Sequence, residues 1–341
     1  MKTLYILGAG FSKSAGGPLT SDFFKSSKLN SHRKRLNNIY PVLRGLKNTL
    51  VSTKAIEDDI EDFMNLVTEA ALLGIRINIK GKSYKAKDVY KYLIDYAVNE
   101  VTLSISKKLQ NLKNRTNLYL PAIYHKFAEK FLRSEESVIV TFNWDPICEL
   151  LLFTTFGFLD YCLENSIKKD SSIGRINKGI KLLKLHGSLN WLICPNPRCK
   201  YHREKRVCIY NVMQAHKVQK VDWCTSCHTF LEKVVVPPVW HKRGYTDLIN
   251  SLWKIALDEI ETSKRIVVIG YSFPKFDISA RYLLKFGTTF VNPLVDEILI
   301  VNGPNFDLSQ IKDIFIVPRV VKRIKNTKMY FEEFVNKNPI K

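Results

Sequence analysis

Short apolar runs rich in β-branched residues recur along the chain, and most of them end at a turn residue followed by a polar motif. Segments with apolar residues at every third or fourth position fill much of the space between these runs. Strands that alternate with helices predict an α/β fold with a parallel sheet covered on both faces. The predicted strands are Leu4–Leu7, Val138–Phe142, Leu182–Leu185, Val234–Val236, Ile266–Ile269 and Ile298–Val301.

The interval between the first and second predicted strands is much longer than one crossover helix needs. It is rich in lysine, and its apolar residues recur at helical spacing, for example at Ile60, Phe63 and Val67. This pattern predicts a helical module, residues 25–135, inserted into the α/β domain.

The first predicted strand runs directly into the glycine-rich stretch GAGFSKSAGGP, which spans residues 8–18. Glycines in such a cluster indicate positive φ angles or a close approach of the backbone to another group. After a strand, that group is commonly a phosphate. The alternative is a flexible turn with no ligand, and the glycine pattern by itself fits both interpretations.

Polar residues follow four further predicted strands, where the carboxyl ends of parallel strands form a crevice. Asp145 is explained as the cap of the helix predicted at Pro146, whereas Asn143 is not needed by that turn. A histidine is more often structural than catalytic, but His186 lies between a strand and a glycine and suits acid–base chemistry or ribose contact. Together with the first loop, the strand ends favour a nucleotide site. The other candidates at strand ends are Gly270, Ser272 and Asn302.

The chain has 341 residues, of which 45% are hydrophobic, as in a packed globular protein. It contains no apolar run long enough to span a membrane, and its first residues do not have the form of a signal peptide. A cytoplasmic protein is therefore expected. The net charge of +21 allows nucleic-acid binding, but no nucleic-acid-binding motif occurs, so solvated basic faces are the favoured interpretation.

Five of the seven cysteines lie within residues 194–227. Cys194 and Cys199 form one short pair, and Cys224 and Cys227 form a second pair. Two such pairs predict a structural, tetrahedral zinc site in a small module over residues 191–230. Two alternatives remain at this point. A redox dithiol could explain the second pair, and another nearby residue could replace one of the four ligands. The candidate replacements are His202, Cys208 and His228.

With these motifs in place, the chain resembles the sirtuin superfamily, and most closely the sirtuin-like NAD-consuming domains of bacterial antiphage defence systems. The resemblance runs in order through GAGFS with GGP, TFNWD, HGS, the two cysteine pairs, GYS and IVN. It implies a single Rossmann-like NAD-binding domain over residues 1–341, with the helical and zinc modules inserted. It also implies that Asn143 and His186 form the essential pair at the nicotinamide ribose. The candidate NAD-contacting residues are Gly8, Ala9, Gly10, Phe11, Ser12, Asp145, Gly270, Ser272 and Asn302.

Two departures from protein deacetylases point to hydrolysis of NAD+ itself. The first loop reads GGPLTSDFF, without the arginine of the deacetylases, and the segment after the second cysteine pair reads VVVPPVWHKRG. Pro237 and Pro238 remove two backbone donors that a substrate peptide would use. The expected products are nicotinamide and ADP-ribose. An NAD-dependent protein deacylase and a non-enzymatic NAD or ADP-ribose sensor remain the alternatives.

An unregulated NAD+ hydrolase would be toxic to its host, and the chain contains no recognisable sensor domain. The resemblance therefore implies a homo-oligomer or a partner protein, such as a HerA-type ATPase or a short Argonaute.

Overall fold

The computed structural model describes most of the chain, including every predicted strand. The described residues are 1–22, 34–54, 60–79, 81–110, 119–132, 136–168, 176, 179–210, 222–237 and 246–337.

The central element is a six-stranded sheet in which all neighbouring strands are parallel. In space the strands follow the order β12-β11-β10-β1-β4-β6, which is the arrangement of a doubly wound Rossmann-like fold. The α/β fold class predicted from the sequence is confirmed. The six strands are β1 (Thr3–Leu7), β4 (Ser137–Thr141), β6 (Lys181–Lys184), β10 (Arg265–Ile269), β11 (Glu297–Val301) and β12 (Ile324–Asn326).

In a sheet of this order the connections change direction between β1 and β10, and ligands bind in the crevice at that position. Both strands are almost entirely buried, which explains why they appear in the sequence as continuous apolar runs. Strand β12 did not stand out in the sequence because it is short and none of its residues is fully buried.

Helices account for most of the remaining described structure. The α-helices are α1 (Ala9–Ser12), α2 (Lys34–Ser52), α3 (Ile60–Leu72), α4 (Ala86–Gln110), α5 (Ala122–Phe131), α6 (Ile147–Phe156), α7 (Lys200–Arg203), α8 (Thr246–Thr262), α9 (Ile278–Phe286), α10 (Pro318–Val321) and α11 (Phe331–Lys337). Within the described part of the chain, no helix is both long and apolar enough to cross a membrane.

Residues 25–135, predicted as a helical module, include α5, whose apolar residues belong to the main core. They also include a hairpin of β2 (Arg76–Ile79) and β3 (Lys82–Lys85), which no sequence pattern indicated, and the helices α2, α3 and α4. These helices form a hydrophobic core of their own, which includes Phe63 and Leu93. The indole of Trp144 packs against this core and also against the main core. Trp144, the residue that follows Asn143, is therefore one of the places where these helices pack against the α/β domain; Val101 and Ile105 of α4, which lie in the main core, are others.

A second sheet combines β5 (Ser166–Lys168), β7 (Gly187–Ile193), β8 (Val207–Ile209) and β9 (Glu232–Val235) in the order β5-β8-β7-β9. Strand β9 is antiparallel to β7, so the predicted strand Val234–Val236 belongs to this sheet and not to the parallel one. An apolar β-branched run predicts a strand but does not identify the sheet that it joins.

Candidate functional site

A cavity of about 750 Å³ opens at the carboxyl ends of β1 and β10, at the position where the connections of the sheet change direction. Its volume is within the usual range for small-molecule sites. The sequence-predicted residues that line it are Gly8, Ala9, Gly10, Asn143, Asp145, His186, Gly270, Ser272 and Asn302. The structure thus brings together residues from five separate strand ends.

Two glycines of the first loop, Gly8 and Gly10, are required by close contact with another loop of the protein. A Cβ atom on Gly8 would lie 2.5 Å from the carbonyl oxygen of Gly270, and one on Gly10 would lie 2.7 Å from its Cα. Gly270 itself has φ +64°, a conformation that favours glycine. The amide of Gly10 donates to the Gly270 carbonyl at 2.9 Å. The close contact of these two loops, both of which line the cavity, is therefore sufficient to explain Gly8 and Gly10.

The side chain of Phe11 faces away from the cavity and is fully buried. Its ring packs against Tyr124 and Phe331, with ring centroids 5.2 and 4.8 Å away. The resemblance predicts Phe11 beside the cofactor, and the structure shows that its ring is part of the hydrophobic core, where burial removes a large apolar surface from water.

Asn143 holds the first loop in place. Its amide nitrogen donates to the carbonyl of Gly8 at 2.8 Å and to the hydroxyl of Ser12 at 3.0 Å. The Ser12 hydroxyl also interacts with the Asp145 carboxyl, so Ser12 lies behind the cavity wall and links two wall residues. These contacts give Asn143 a structural role outside its own turn, which the sequence did not indicate. Its side-chain oxygen is the atom that remains for a ligand.

The carboxyl of Asp145 accepts a hydrogen bond from the amide of Ile147 at 3.0 Å, at the start of α6. The sequence predicts Asp145 as the N-cap of a helix that begins at Pro146, but the helix begins one residue later and Pro146 is its N-cap. Asp145 precedes the cap, and its hydrogen bond to the Ile147 amide forms the turn that leads into the helix. Burial raises the pKa of Asp145 above its ordinary value, and the nearby Lys184 ammonium opposes that shift.

An ion pair below the cavity was missed by the sequence analysis. Lys184 and Glu149 have no exposed side-chain surface, and the shortest distance between their charged atoms is 2.9 Å. The ammonium also donates to the backbone carbonyl of Asp145 at 2.6 Å. The hydroxyl of Ser188 lies 3.0 Å from the Glu149 carboxyl. This pair fixes the backbone that carries Asn143 and Asp145. In the sequence, the position of Lys184 within the apolar run of β6 is the feature that could have indicated this ion pair.

His186 is almost completely buried at the cavity wall, and its Nε2 lies 3.3 Å from the Oδ2 atom of Asp277. Its ring packs against Phe142 and Trp253, with centroids 5.2 and 6.3 Å away. Asp277 also caps the following helix, where its Oδ1 accepts a hydrogen bond from the amide of Ala280. Its contact with His186 joins two distant segments of the chain and had no sequence signal.

Asn302 lies at the opposite side of the cavity, at the end of β11. Its amide nitrogen donates to the carbonyl of Tyr271 at 2.6 Å. Its buried Oδ1 atom has no hydrogen-bond partner among the described residues. An acceptor of this kind suits a ligand hydroxyl. Ser272 is exposed at the same wall.

Val236 lies beside His186 and immediately before the two prolines, and both its backbone N–H and its backbone C=O are hydrogen-bonded within the protein. The Val236 amide donates to the His186 carbonyl at 2.9 Å. The Val236 carbonyl accepts a hydrogen bond from the indole nitrogen of Trp144 at 3.0 Å. Both polar groups of this residue are therefore occupied within the protein. No sequence pattern indicated this role of Trp144.

The four predicted zinc ligands form a cluster in which all sulfur atoms lie within 4.8 Å of one another. The Sγ atoms of Cys194 and Cys227 are 3.5 Å apart, and those of Cys199 and Cys224 are 3.7 Å apart. Tetrahedral zinc with Zn–S bonds of about 2.3 Å requires sulfur separations of about 3.8 Å. The four cysteines therefore fit a structural zinc ion.

The alternative ligands lie outside this cluster. The imidazole Nδ1 of His202 contacts the backbone carbonyl of Cys194 at 2.8 Å, so His202 supports the loop. Cys208 is buried on β8, and neither it nor His228 is part of the sulfur cluster.

We expect the Cys224→Ser variant to lose about one zinc ion per chain and to lower the unfolding temperature, because a structural zinc site contributes directly to folding. Metal analysis of the purified protein and thermal unfolding measure both effects. Cys208→Ala is the matched control, since Cys208 is a buried cysteine of the same module, and it should retain zinc. Metal-free protein with unchanged stability would contradict the assignment.

Comparison with known proteins gave matches among solved structures alone. No family model and no curated protein matches the chain. A Sir2 complex with a p53 peptide and NAD+ is 14% identical, with a TM-score of 0.41, over 98% of this chain and 91% of that chain. A complex of a Sir2 homologue variant with 2′-O-acetyl ADP-ribose is 15% identical, with a TM-score of 0.47, over 98% and 89%. A Sir2 homologue–NAD complex is 16% identical, with a TM-score of 0.42, over 98% and 87%. All three are described as Sir2 proteins or Sir2 homologues.

Proposed function

We propose that this chain is an NAD+ glycohydrolase that cleaves NAD+ to nicotinamide and ADP-ribose, and that it acts in antiphage defence by depleting NAD+. Two kinds of observation support NAD+ as the substrate. The motifs that resemble the sirtuin superfamily converge on one cavity at the β1–β10 crevice. That cavity carries amide, histidine and carboxyl groups at one end and the unpaired Asn302 oxygen at the other.

The observation that favours hydrolysis over deacylation is that both backbone polar groups of Val236 are already hydrogen-bonded. An acylated peptide would bind beside the reacting ribose by adding a strand, which needs free backbone donors and acceptors. Val236 has already paired both of its groups, with His186 and Trp144. The next two residues are prolines, which lack a backbone N–H. This segment therefore has little to offer a peptide, whereas water needs no such surface.

The reaction breaks the bond between C1′ of the ribose and the nicotinamide nitrogen. The bonding electron pair goes to the positively charged ring nitrogen, so nicotinamide leaves as a neutral molecule and needs no strong acid. The oxygen of a water molecule adds to C1′, and one proton of that water is released. The products are nicotinamide, ADP-ribose and a proton, so atoms and charge balance.

His186 is suited to accept the proton as the water adds. Asn143 is suited to orient a ribose hydroxyl or the water through its side-chain oxygen. The bond breaks through a state with positive charge at C1′, and the cavity is lined by carboxyl groups that can stabilise a cation. They include Glu61, Asp145 and Asp277.

The test is incubation of the purified chain with NAD+, with and without an acetyl-lysine peptide, followed by quantification of nicotinamide and ADP-ribose. We expect both products in equal amounts without peptide, because water is the acceptor. A deacylase would release nicotinamide only when the peptide is present and would form an acylated ADP-ribose. A sensor would bind the nucleotide and leave it intact. Either result would contradict the proposal.

Regulation of this activity follows from its toxicity and is part of the same proposal. A homo-oligomer or a partner such as a HerA-type ATPase or a short Argonaute would restrict cleavage to infected cells. The basic surface of the chain, with its net charge of +21, is the expected contact region. A cytoplasmic location belongs to this proposal as well.

A further inference from the structure

The carboxyl group of Asp277 contacts the candidate base and the first turn of a helix at the same time. Its Oδ2 atom lies 3.3 Å from Nε2 of His186, and its Oδ1 accepts a hydrogen bond from the amide of Ala280 in α9. The side chains of His186 and Asp277 are 3% and 1% exposed. Both residues line the cavity.

Capping of α9 alone does not require an aspartate. Serine, threonine and asparagine cap helices about as well, and each uses one oxygen atom for the purpose. Asp277 uses Oδ1 for the cap, while Oδ2 faces His186 and also accepts a hydrogen bond from the hydroxyl of Tyr271 at 3.2 Å. A buried carboxyl group is costly unless it is paired, so this second oxygen indicates a role directed at the histidine.

The contact has a definite consequence for the imidazole ring. A neutral histidine that donates from Nε2 to a carboxylate carries its lone pair on Nδ1. Nδ1 is then the atom that accepts a proton, and the carboxylate stabilises the imidazolium that forms. The flanking Phe142 and Trp253 rings restrict rotation of the ring.

We propose that Asp277 is the positioning residue for His186, holding the imidazole as the Nε2–H tautomer so that Nδ1 is the basic atom during NAD+ hydrolysis. This inference rests on the proposed function for its catalytic meaning. The His186–Asp277 contact itself is testable without turnover.

Other ionisable groups face the same region from neighbouring elements. Tyr271 shares the Asp277 oxygen, and burial, followed by the negative charges of Asp277 and Glu61, holds the pKa of Tyr271 well above its ordinary value. Tyr271 is therefore a neutral donor throughout the working pH range. The charged or titratable side chains that line the cavity, besides Tyr271 and Tyr330, are Lys13, Glu61, Asp145, His186, Asp277, Glu332 and Glu333.

The decisive variant is Asp277→Asn, because asparagine keeps the shape of the side chain and caps helices well but has no charge. We expect kcat for NAD+ cleavage to fall about 10- to 1,000-fold, since proton transfer by the histidine is impaired. Loss of the negative charge disfavours the imidazolium, so neutral His186 persists to lower pH. The acid limb of the pH–rate profile should therefore move down by about one pH unit.

A second readout is independent of catalysis. Nuclear magnetic resonance of the protein labelled with ¹⁵N-histidine reports the tautomer and the titration of each ring, and the His186→Ala variant identifies the His186 signals. In the unmodified protein, the neutral form of His186 should be the Nε2–H tautomer. In Asp277→Asn it should become charged only at lower pH.

Asp307→Asn is the matched control. Asp307 also caps a helical turn, Leu308–Ile311, where its Oδ1 accepts a hydrogen bond from the amide of Ser309 at 2.8 Å, but it does not line the cavity. This variant should leave the pH profile and the His186 signals unchanged. If Asp277→Asn does not fold, Asp277→Ser takes its place, because serine keeps the cap and is too short to reach His186.

An unchanged pH–rate profile together with unchanged His186 signals in the Asp277 variant would overturn the inference. If the unmodified protein does not cleave NAD+, the proposed function fails, and the ring signals still decide whether Asp277 fixes the tautomer of His186.

Discussion

The His186→Ala variant is expected to lose about 10²- to 10⁴-fold of NAD+ cleavage, the usual cost of removing a positioned proton acceptor. His186 is the one histidine among the described residues that lines the cavity, and its ring is held between Phe142, Trp253 and Asp277. ADP-ribose binding should persist, because that ligand lacks nicotinamide and would mainly contact the first loop and the Ser272 side of the cavity. A turnover assay and an ADP-ribose titration on the same folded protein measure the two effects.

His125→Ala is the control for this substitution. His125 is a partly buried histidine on α5 that contacts the hydroxyl of Thr155, and it does not line the cavity. Its replacement should leave turnover within about twofold of the unmodified protein. Equal cleavage by the His186 and His125 variants would remove His186 from the mechanism.

Asn143→Ala should lower cleavage as well, and the loss in the double variant with His186→Ala should be much smaller than the product of the two single losses. The structure also predicts a loss of stability in the Asn143→Ala variant, which the sequence did not indicate. Asn143 donates two hydrogen bonds to the first loop, so its removal should also lower stability by about 1–3 kcal/mol. His186→Ala is therefore the cleaner test of chemistry.

The Lys184→Met variant is expected to lower the free energy of unfolding by about 3–5 kcal/mol, because it leaves the buried charge of Glu149 without its partner. Neither side chain of this pair is exposed. The loss should be largely recovered in the double variant with Glu149→Gln, which removes both charges and keeps an acceptor for Ser188. Urea unfolding of the two variants and the unmodified protein gives these free energies.

Lys181→Met is the matched control, with the same substitution on the same strand. Lys181 pairs with Glu259 at 2.6 Å, but its side chain is 42% exposed. Exposed pairs contribute about 1 kcal/mol or less, so this variant should lose far less stability than Lys184→Met. Similar losses of unfolding free energy in the two single variants would show that the buried Lys184–Glu149 pair contributes no more to stability than the exposed pair does.

The sequence was sufficient to predict the parallel sheet and the edge of the sheet at which the cavity lies. Strands buried on both faces are continuous apolar runs, so five of the six strands of the parallel sheet were visible as such runs. The carboxyl ends of parallel strands meet at one edge, and for that reason the polar residues after those runs could be assigned to a common site. The four cysteines could be grouped because metal ligands of one module lie close together in the chain.

Sequence spacing could not specify which side chain of a motif faces the ligand. Phe11 and Ser12 belong to the same short motif as Gly8 and Gly10, but one is in the aromatic core and the other lies behind the wall. Neighbours in a tight turn point in different directions, and the packing of distant segments decides which direction is buried. The structural role of Asn143 was not visible in the sequence for the same reason, since its partners lie about 130 residues earlier in the chain.

By itself, then, the sequence determined the α/β class, the edge of the sheet where a nucleotide would bind, and the set of metal ligands. These properties depend on local hydrophobic patterning and on short spacings, which can be read from residues that are close together in the chain. Only the tertiary structure decided the contacts of His186 with Asp277, of Trp144 with Val236 and of Lys184 with Glu149. Each of these contacts is a side-chain contact between segments more than thirty residues apart, and its geometry exists only after the sheet and its crossings have formed.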